Sequence, residues 1–557
     1  MSEFKPSTAY WAETHEIENQ SYPLENYNLY LSDTALTEAV KREGGYWDTE
    51  DLTALGQDLG SAEWIELGHQ ANQNKPELHT HDRYGRRKDE VNFHPAYHRF
   101  MQKSIEHGLH SSPWTDPKPG AHVARAAKSY MMSQDEAGHG CPITMTMAAI
   151  PALKHQPELY EQWAPKIMAR EYDFRNVSHE EKNGLTIGMA MTEKQGGSDV
   201  RRNSTRAVPV GEGGPGQAYE LVGHKYFVSA PMCDAFLVLA QAPGGLSCFL
   251  LPRWRPDGSK NPLQIQRLKN KMGNVSNASS ETELRGALAW MVGEEGRGVP
   301  TIIDMVAMTR FDCMVGSSAS MRQGLAQVLH HCAQREAFGD RLIEKPLMQN
   351  VLADLAIESE AALMLSMRMA RSLDNQQDEH EQLLMRIGTA VGKYWICKRT
   401  PGHAYEAMEC IGGSGVMEES IFPRLYREAP VNAIWEGSGN VQCLDMIRAI
   451  QRTPGSLDAF MQEVGKVQGK DARLDAFVES LQADFADLST LEYRARRVVE
   501  KMALALQGSL LLQFGDAAVA EGFCASRLTA DNAGWVYGTL PEGVDCKAII
   551  DRAMPKL

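Results

Sequence analysis

The strongest constraint on the fold is a change of sequence pattern between residues 185 and 295. Short runs rich in β-forming residues occur there at 219–228, 235–240 and 246–251. Gly-rich turns such as GEGGPG at 211–216 separate the runs, and no helical pattern lies between them. Strands that follow one another through turns predict an antiparallel barrel or sandwich.

Helical patterns flank this β-rich region on both sides. One apolar stripe at helical spacing consists of Leu384, Ile387, Val391 and Tyr394. At about 150 residues per domain, a chain of 557 residues accommodates three or four domains. We therefore predict an α+β protein with four units. They are an N-terminal helical domain (1–184), a middle antiparallel β domain (185–295), a C-terminal helical bundle (296–450) and an extra C-terminal helical segment (451–557).

Charge and cysteine usage exclude several classes of protein. A net charge of −15 opposes nucleic acid and anionic membranes at long range. The ten cysteines contain no CxxC pair, which favours reduced thiols in a cytoplasmic protein. The N-terminus lacks the basic-then-apolar order of a signal peptide, and the apolar stretch 502–514 is too short to span a bilayer. We expect a cytoplasmic protein that does not associate with membranes.

A small-residue motif, MTEKQGGSD, occupies residues 191–199. Small residues let backbone N–H groups approach a ligand, and Thr192 and Ser198 add hydroxyl groups. Such a loop is suited to a phosphate or a flat heterocycle. The alternative is a polar surface turn, because Gly/Ser loops are common.

A second motif, IWEGSGN, occupies residues 434–440 and places Glu436 between an indole and a flexible turn. A carboxylate shielded by an aromatic side chain has a raised pKa and is suited to general-base catalysis. The alternative is a helix N-terminus, where glutamate is favoured by the helix dipole.

Two further segments are candidates for binding. In REAFG at 335–339, Arg335 is suited to a diphosphate. The alternative is a helix C-terminus that Gly339 caps. IGGSG at 411–415 ends a helix and follows no strand, so it is not a Rossmann fingerprint. His94 and His98 lack the glutamate of an HExxH motif, and we expect no metal site.

Together, the four motifs stand in the order and spacing of one family. MTEKQGGSD, a β-rich region, QREAFG, IGGSG and IWEGSGN resemble the acyl-CoA dehydrogenases over roughly residues 120–450. Stretches such as LYLSDTAL at 29–36, CPITMT at 141–146 and TRFDC at 309–313 are most similar to a bacterial alkylation-response branch of that family. The long N-terminal region and the segment past residue 450 also match that branch.

The resemblance implies FAD, bound non-covalently between the β domain and the helical bundle. The residues that it assigns to the flavin pocket are Met191, Thr192, Ser198, Phe227, Ser229, Trp435, Gly437 and Asn440. The residues that it assigns to the FAD of a neighbouring subunit are Arg335, Phe338, Gly412 and Gly413. This sharing implies a homotetramer.

The resemblance also implies a reaction. Glu436 matches the family's base, which removes the α-proton of an acyl-CoA-like thioester while a hydride passes from the β-carbon to flavin N5. Some members carry their base on an earlier helix, where this chain has Thr309 and Arg310. Threonine cannot act as that base, so Glu436 is the one candidate.

Three residues depart from the family pattern. Lys194 stands in place of a proline, and Pro346 and Glu409 stand in place of glutamines. Two polar contacts on the adenine side of FAD are therefore altered in this chain.

The alkylation-response branch suggests an alternative function, a DNA-binding flavoprotein that protects against alkylation damage and has weak or vestigial dehydrogenase activity. Residues 451–557 hold twelve basic and fifteen acidic residues, a net charge of −3, which is not typical of a DNA-binding domain. Arg494, Arg496 and Arg497 are candidates for a local basic stripe, although a solvated helix face also explains them. Any DNA binding is expected to be weak.

Overall fold

The computed structural model describes residues 14–529 and 536–556. The N-terminal region holds eight α-helices in its described part. They are α1 (Thr34–Glu43), α2 (Thr49–Leu59), α3 (Ala62–Gln73), α4 (Pro95–Glu106), α5 (Ser112–Thr115), α6 (Ala121–Asp135), α7 (Gly140–Leu153) and α8 (Pro157–Ile167). Local signals set the helix starts. Asp33 caps α1 by accepting from the Leu36 N–H, and prolines open α4 and α8.

A β-hairpin interrupts this helical region, and the sequence analysis did not predict it. It pairs β1 (Glu77–His81) with β2 (Arg87–Asn92) in antiparallel register, with Glu77 opposite Asn92. Its strands are polar and only partly buried, so they lack the apolar alternation by which a strand is recognised.

Seven strands form the β domain. They are β3 (Ile187–Ala190), β4 (Arg206–Pro209), β5 (Ala218–Ser229), β6 (Ala235–Ala242), β7 (Gly245–Pro252), β8 (Leu263–Leu268) and β9 (Ser279–Val292). The strands β4, β5, β9, β7 and β6 close a ring, because β6 pairs with both β7 and β4. The predicted barrel is therefore present, but its pairings are not all antiparallel, since β3 and β4 both run parallel to β6.

Long helices form the bundle. They are α9 (Gly298–Gln334), α10 (Pro346–Asp374) and α11 (Glu379–Ile411), followed by the shorter α12 (Phe422–Glu428), α13 (Val431–Ile434) and α14 (Gly439–Arg452). A small hairpin of β10 (Glu336–Ala337) and β11 (Asp340–Arg341) follows α9. Helices α9 and α11 run in the same direction, because Cys397 lies against Cys313 and Ala407 lies against Gly324 further along both helices.

Five helices follow the bundle, namely α15 (Ser456–Gly465), α16 (Ala472–Asp484), α17 (Leu491–Phe514), α18 (Ala517–Arg527) and α19 (Cys546–Ala553). Their apolar side chains join the same buried core as those of the bundle. Arg368 of α10 is fully buried and pairs with Glu381 of α11 and Glu463 of α15, so an ion network also links them. The division into four units stays a prediction. No helix within 14–529 and 536–556 is long and apolar enough to cross a membrane.

Candidate active site

The loop between α13 and α14 carries Glu436 in a constrained conformation. Glu436 and Gly437 have φ values of 57° and 98°, in the left-handed region that non-glycine residues rarely adopt. The Lys393 ammonium is buried behind this loop and donates to the carbonyl oxygens of Asn432, Trp435 and Gly437, each at 2.9 Å. Lysine has three donors, and all three hold the loop that presents Glu436.

Two other side chains fix the backbone of this loop. The carbonyl oxygen of Glu436 accepts from Arg310 Nε at 2.9 Å and from Gln442 Nε2 at 3.1 Å. Gln442 also donates to Gly437 O at 2.9 Å, and Asp445 holds the Arg310 guanidinium at 3.1 Å. The Glu436 backbone is therefore fixed independently of any ligand.

The Glu436 carboxyl group points at α9, where its Oε2 lies 2.7 Å from Thr309 Oγ1. Burial raises the pKa of Glu436, and the Thr309 hydroxyl, the Lys393 ammonium and Arg310 oppose this rise. Helix α14 begins at Gly439 after Ser438, so Glu436 precedes the helix and its carboxyl does not cap it. The Glu436 side chain is therefore held by α9 rather than by the N-terminus of α14.

The first motif is anchored to the barrel by an ion pair that the sequence analysis missed. Glu193 is buried, and its Oε1 accepts from Lys225 Nζ at 2.8 Å and from the Thr205 N–H at 3.1 Å. Its Oε2 accepts from the backbone and the hydroxyl of Ser204 at 2.7 and 2.9 Å. The Lys225 ammonium and these hydrogen bonds hold the pKa of Glu193 well below its usual range, while burial lowers the pKa of Lys225 to about 8. The motif is thus more than a polar surface turn.

The predicted ligand-binding residues of this motif lie beside the end of β5. The Tyr226 N–H donates to Thr192 O at 2.8 Å, which places the loop against the strand that carries Phe227 and Ser229. Thr192 is half-buried, whereas Ser198 is exposed and the Phe227 side chain is 44% exposed. The loop and the strand therefore present free hydroxyl, backbone and aromatic surface on one side of the barrel.

A cavity of about 130 Å³ joins the barrel to the Glu436 loop. Met189 of β3, Cys141 and Thr144 of α7, and Trp435 and Glu436 all line it. Burial raises the pKa of Cys141 to about 12, and its neighbours include Ser229 and Glu436. The cavity thus lies between β3, α7 and the Glu436 loop, and Met189, two residues before the first motif, lines it.

A second group of predicted residues lies far from this place. Arg335 ends α9, 26 residues beyond Thr309, or about 39 Å along the helix at 1.5 Å per residue. Arg335 Nη1 donates to Asn19 O, Phe338 is 99% exposed, and a Cβ on Gly412 would meet open space. Gly413 is equally open, beside Gly412.

The alternative for this segment is right about the helix C-terminus and wrong about the cap. Helix α9 ends at Gln334 with Arg335 as its C-cap, whereas Gly339, with a φ of 88°, lies in the turn between β10 and β11. Arg335, Phe338, Gly412 and Gly413 belong to the far end of the bundle, because α9 and α11 run in parallel. Within one chain they do not meet Glu436.

The last predicted binding residue, Asn440, connects the site with the C-terminal helices. Its Oδ1 accepts from Arg496 Nε of α17 at 2.8 Å. Arg494 instead pairs with Asp484 at 3.0 Å, and Arg497 is exposed. The three arginines therefore do not act as one free basic stripe, because two of them already have protein partners.

The residues of the loop and strand suit a flavin dinucleotide. Gly196 has a φ of 134°, and a Cβ placed on it would meet no atom within 4 Å, so its backbone is open to a bound group. Hydroxyl groups and backbone N–H groups of this kind bind phosphates, and the exposed Phe227 face suits a flat ring. Residues 191–198 and 227–229 therefore fit one end of FAD.

Comparison with known proteins assigns the chain to a family. The family models for the middle domain and the C-terminal domain of acyl-CoA dehydrogenases match residues 188–287 and 296–451. "Acyl-CoA dehydrogenase family member 11" of Caenorhabditis elegans is 31% identical over 84% of this chain and 79% of its own length. The chain belongs to the acyl-CoA dehydrogenase family. This membership confirms the predicted fold class and the predicted type of enzyme, an FAD-dependent dehydrogenase.

The similarity extends to a particular branch of that family. The model described as "Adaptive response protein AidB N-terminal domain" matches residues 19–174. The "Putative acyl-CoA dehydrogenase AidB" of Escherichia coli is 46% identical over 92% of this chain and 94% of its own length. The crystal structure of Caenorhabditis elegans ACDH-11 in complex with C11-CoA aligns with a TM-score of 0.83 at 26% identity, covering 94% of this chain and 95% of that one.

Proposed function

We propose that this chain dehydrogenates an acyl-CoA-like thioester, with Glu436 as the base that takes the α-proton. The observation that carries the proposal is the Glu436 carboxyl group, which is desolvated, turned into a cavity and held on a fixed loop. Bound FAD supplies the acceptor for the hydride that leaves the β-carbon.

The surroundings of Glu436 suit proton abstraction. Burial raises the pKa of its carboxyl and so makes the carboxylate a stronger base, as general-base catalysis requires. The Thr309 hydroxyl, 2.7 Å away, orients the carboxylate, and the nearby charges of Lys393 and Arg310 oppose the rise that burial causes in its pKa. A fixed loop lowers the cost of reaching the reactive geometry.

We further propose that FAD lies across two subunits. Within one chain it is held by Met191, Thr192, Ser198, Phe227, Ser229, Trp435, Gly437 and Asn440. The neighbouring copy supplies Arg335, Phe338, Gly412 and Gly413. In their own chain, Arg335 lies about 39 Å along α9 from Thr309, and Gly412 lies about 28 Å along α11 from Lys393, so neither reaches the Glu436 loop. Large exposed apolar side chains near that end, namely Phe338 at 99%, Leu347 at 85% and Val416 at 68%, support a homotetramer. All ten cysteines are free thiols, which supports a cytoplasmic location.

Anaerobic flavin reduction tests the proposal. Glu436→Gln keeps the size and most hydrogen bonding of the side chain but cannot accept the proton. We expect it to retain FAD and to lose about 10²–10⁴-fold in the rate of flavin bleaching by a reactive acyl-CoA. Glu419→Gln, at an exposed position, makes the same charge change and should reduce at the wild-type rate. Equal rates for wild type and Glu436→Gln would show that Glu436 is not the base.

A further inference from the structure

The cavity continues along α9 away from Glu436. Thr309 contacts Glu436, a Cβ on Gly316 would lie 3.3 Å from Asn432, and a Cβ on Gly324 would lie 4.0 Å from Leu425. The segment 425–436 therefore runs antiparallel to α9. Ser320, which also lines the cavity, lies three helical turns, or about 16 Å, beyond Thr309.

The far part of this cavity holds polar atoms that have no partner among the described residues. Four of its lining side chains each have a buried atom of this kind. They are Arg424 Nη1, Asp135 Oδ2, Asn72 Oδ1 and Ser320 Oγ. Buried polar atoms in proteins are nearly always hydrogen-bonded, and four exceptions in one cavity indicate that something else satisfies them.

Arg424 is the most unusual of the four. It is 9% exposed, and no carboxylate of residues 14–529 or 536–556 lies within 4 Å of its guanidinium. Burial lowers its pKa, yet a guanidinium keeps its charge in proteins. Burying a charge without an ion pair is costly, so a cavity that retains one is suited to a group that hydrogen-bonds to it.

The acidic groups around Arg424 do not fill this role. Glu136 is already satisfied by His139, the Gly138 N–H and the Ser276 hydroxyl, at 2.6–2.8 Å. Burial raises the pKa of Glu428 to about 7, and burial also raises the pKa of Asp135 well above its usual range. The far end therefore offers a donor, Arg424 Nη1, beside the acceptor atoms Asp135 Oδ2 and Asn72 Oδ1, an arrangement that suits a group able both to accept and to donate.

We propose that the far end of the cavity binds an uncharged hydrogen-bonding group, such as a hydroxyl, on the distal end of the acyl chain. The preferred substrate is then a thioester of a hydroxylated acid rather than of a plain fatty acid. This inference rests on the proposed function for the thioester. Arg424 Nη1 donates to the distal group, and Asn72 Oδ1 or Asp135 Oδ2 accepts from it, so a plain methyl end would leave these atoms unpaired.

The test measures binding rather than turnover. Glu436→Gln protein loaded with FAD is titrated calorimetrically with pairs of acyl-CoAs of ten, twelve, fourteen and sixteen carbons, lengths that span the separation of about 16 Å, each with and without a terminal hydroxyl. At the length that reaches Arg424, we expect the hydroxylated member to bind about 10- to 100-fold more tightly. If water fills the far end instead, the hydroxylated member should bind equally or more weakly at every length. That result would overturn the inference. Tighter binding of ω-carboxyacyl-CoAs would overturn the assignment of an uncharged group.

Second substitutions in that background locate the effect. Arg424→Met should abolish the preference for the hydroxyl, whereas Arg427→Met, on the same helix but paired with Glu418 at the surface, should keep it. Ser320→Ala removes a single oxygen atom and should reduce the preference severalfold, which keeps the test available if Arg424→Met does not fold. A preference that survives both Arg424→Met and Ser320→Ala refutes the site.

Different results would contradict the proposed dehydrogenase reaction and the inference about the far end of the cavity. If acyl-CoAs bind with the hydroxyl preference but reduce the flavin of wild-type protein at no length, the proposed dehydrogenase reaction is wrong. If plain acyl-CoAs reduce the flavin and the hydroxyl gives no advantage, the reaction stands and the inference about the far end falls.

Discussion

Replacing Lys393 by methionine removes the group that holds the Glu436 loop. The Lys393 side chain is buried, and methionine keeps most of its apolar volume while it loses three hydrogen bonds to the loop. Gly437 O keeps Gln442 as a donor, but the carbonyl oxygens of Asn432 and Trp435 lose the ammonium. At about 1–3 kcal/mol for each buried carbonyl left unpaired, the free energy of unfolding should fall by about 2–6 kcal/mol.

The same substitution acts on the chemistry through charge. The Lys393 ammonium opposes the rise that burial causes in the pKa of Glu436, so its removal should raise that pKa further. The base is active when it is ionised. The rising limb of the pH profile for flavin reduction should therefore move to higher pH.

Two measurements check this prediction, namely urea unfolding followed by circular dichroism and the pH dependence of anaerobic flavin reduction. Lys398→Met is the matched control, because Lys398 lies on the same helix and is exposed. Stability equal to that of Lys398→Met, together with an unmoved pH profile, would refute the reasoning.

Three further predictions concern Glu193, Arg335 and the binding of DNA. Glu193→Gln should destabilise the protein at pH 7, because the native pKa of Glu193 lies below its usual value. The stability that the ionised carboxylate contributes is present above about pH 4.5 and is lost on acidification. The difference in urea unfolding between wild type and variant should therefore shrink at low pH. Arg335→Ala should weaken FAD retention by about 1.5–3 kcal/mol, measured as FAD released on dilution, and unchanged retention would contradict the role in a neighbouring subunit. Any DNA binding should be weak, and its affinity should fall steeply from about 50 to 200 mM salt in mobility-shift assays. A tight complex that survives the higher salt would contradict this prediction. So would a complex that is unchanged when glutamate replaces Arg494, Arg496 and Arg497.

Local pattern was enough to predict much of the fold. The barrel follows from short runs of β-formers with turns between them, and β6 and β7 pair directly across a tight turn, with Ala242 opposite Gly245. The hairpin of β1 and β2 was missed because its strands are polar and partly exposed. The parallel pairing of β3 with β6 depends on which strands meet in space, and no local pattern records that.

The residues of the candidate site were likewise predictable only in part from local sequence. Glu436 was identifiable because a carboxylate between tryptophan and a Gly-Ser-Gly turn is an unusual sequence. Lys393 and Thr309 were not, since each occurs in an ordinary helix and meets Glu436 only after α9 and α11 have packed. Glu193 was inside a recognised motif, but its partner Lys225 lies 32 residues further along. Contacts between distant segments set the pKa and the orientation of Glu436 and Glu193. The motifs therefore predicted these residues but not their pKa or their hydrogen-bond partners.

The buried network of Arg368 has a consequence for how the molecule comes apart. Glu381 belongs to the bundle and Glu463 to the C-terminal helices, and Arg368 needs both to neutralise a charge that has no access to water. A chain cut after α14 would leave this guanidinium with one carboxylate and would open the apolar faces of α10 and α11 that α15 and α17 cover. The helices after residue 455 are therefore part of the same folded core as the bundle. They and the bundle form one cooperative folding unit, which should melt in a single transition and resist proteolytic separation at the 452–456 turn.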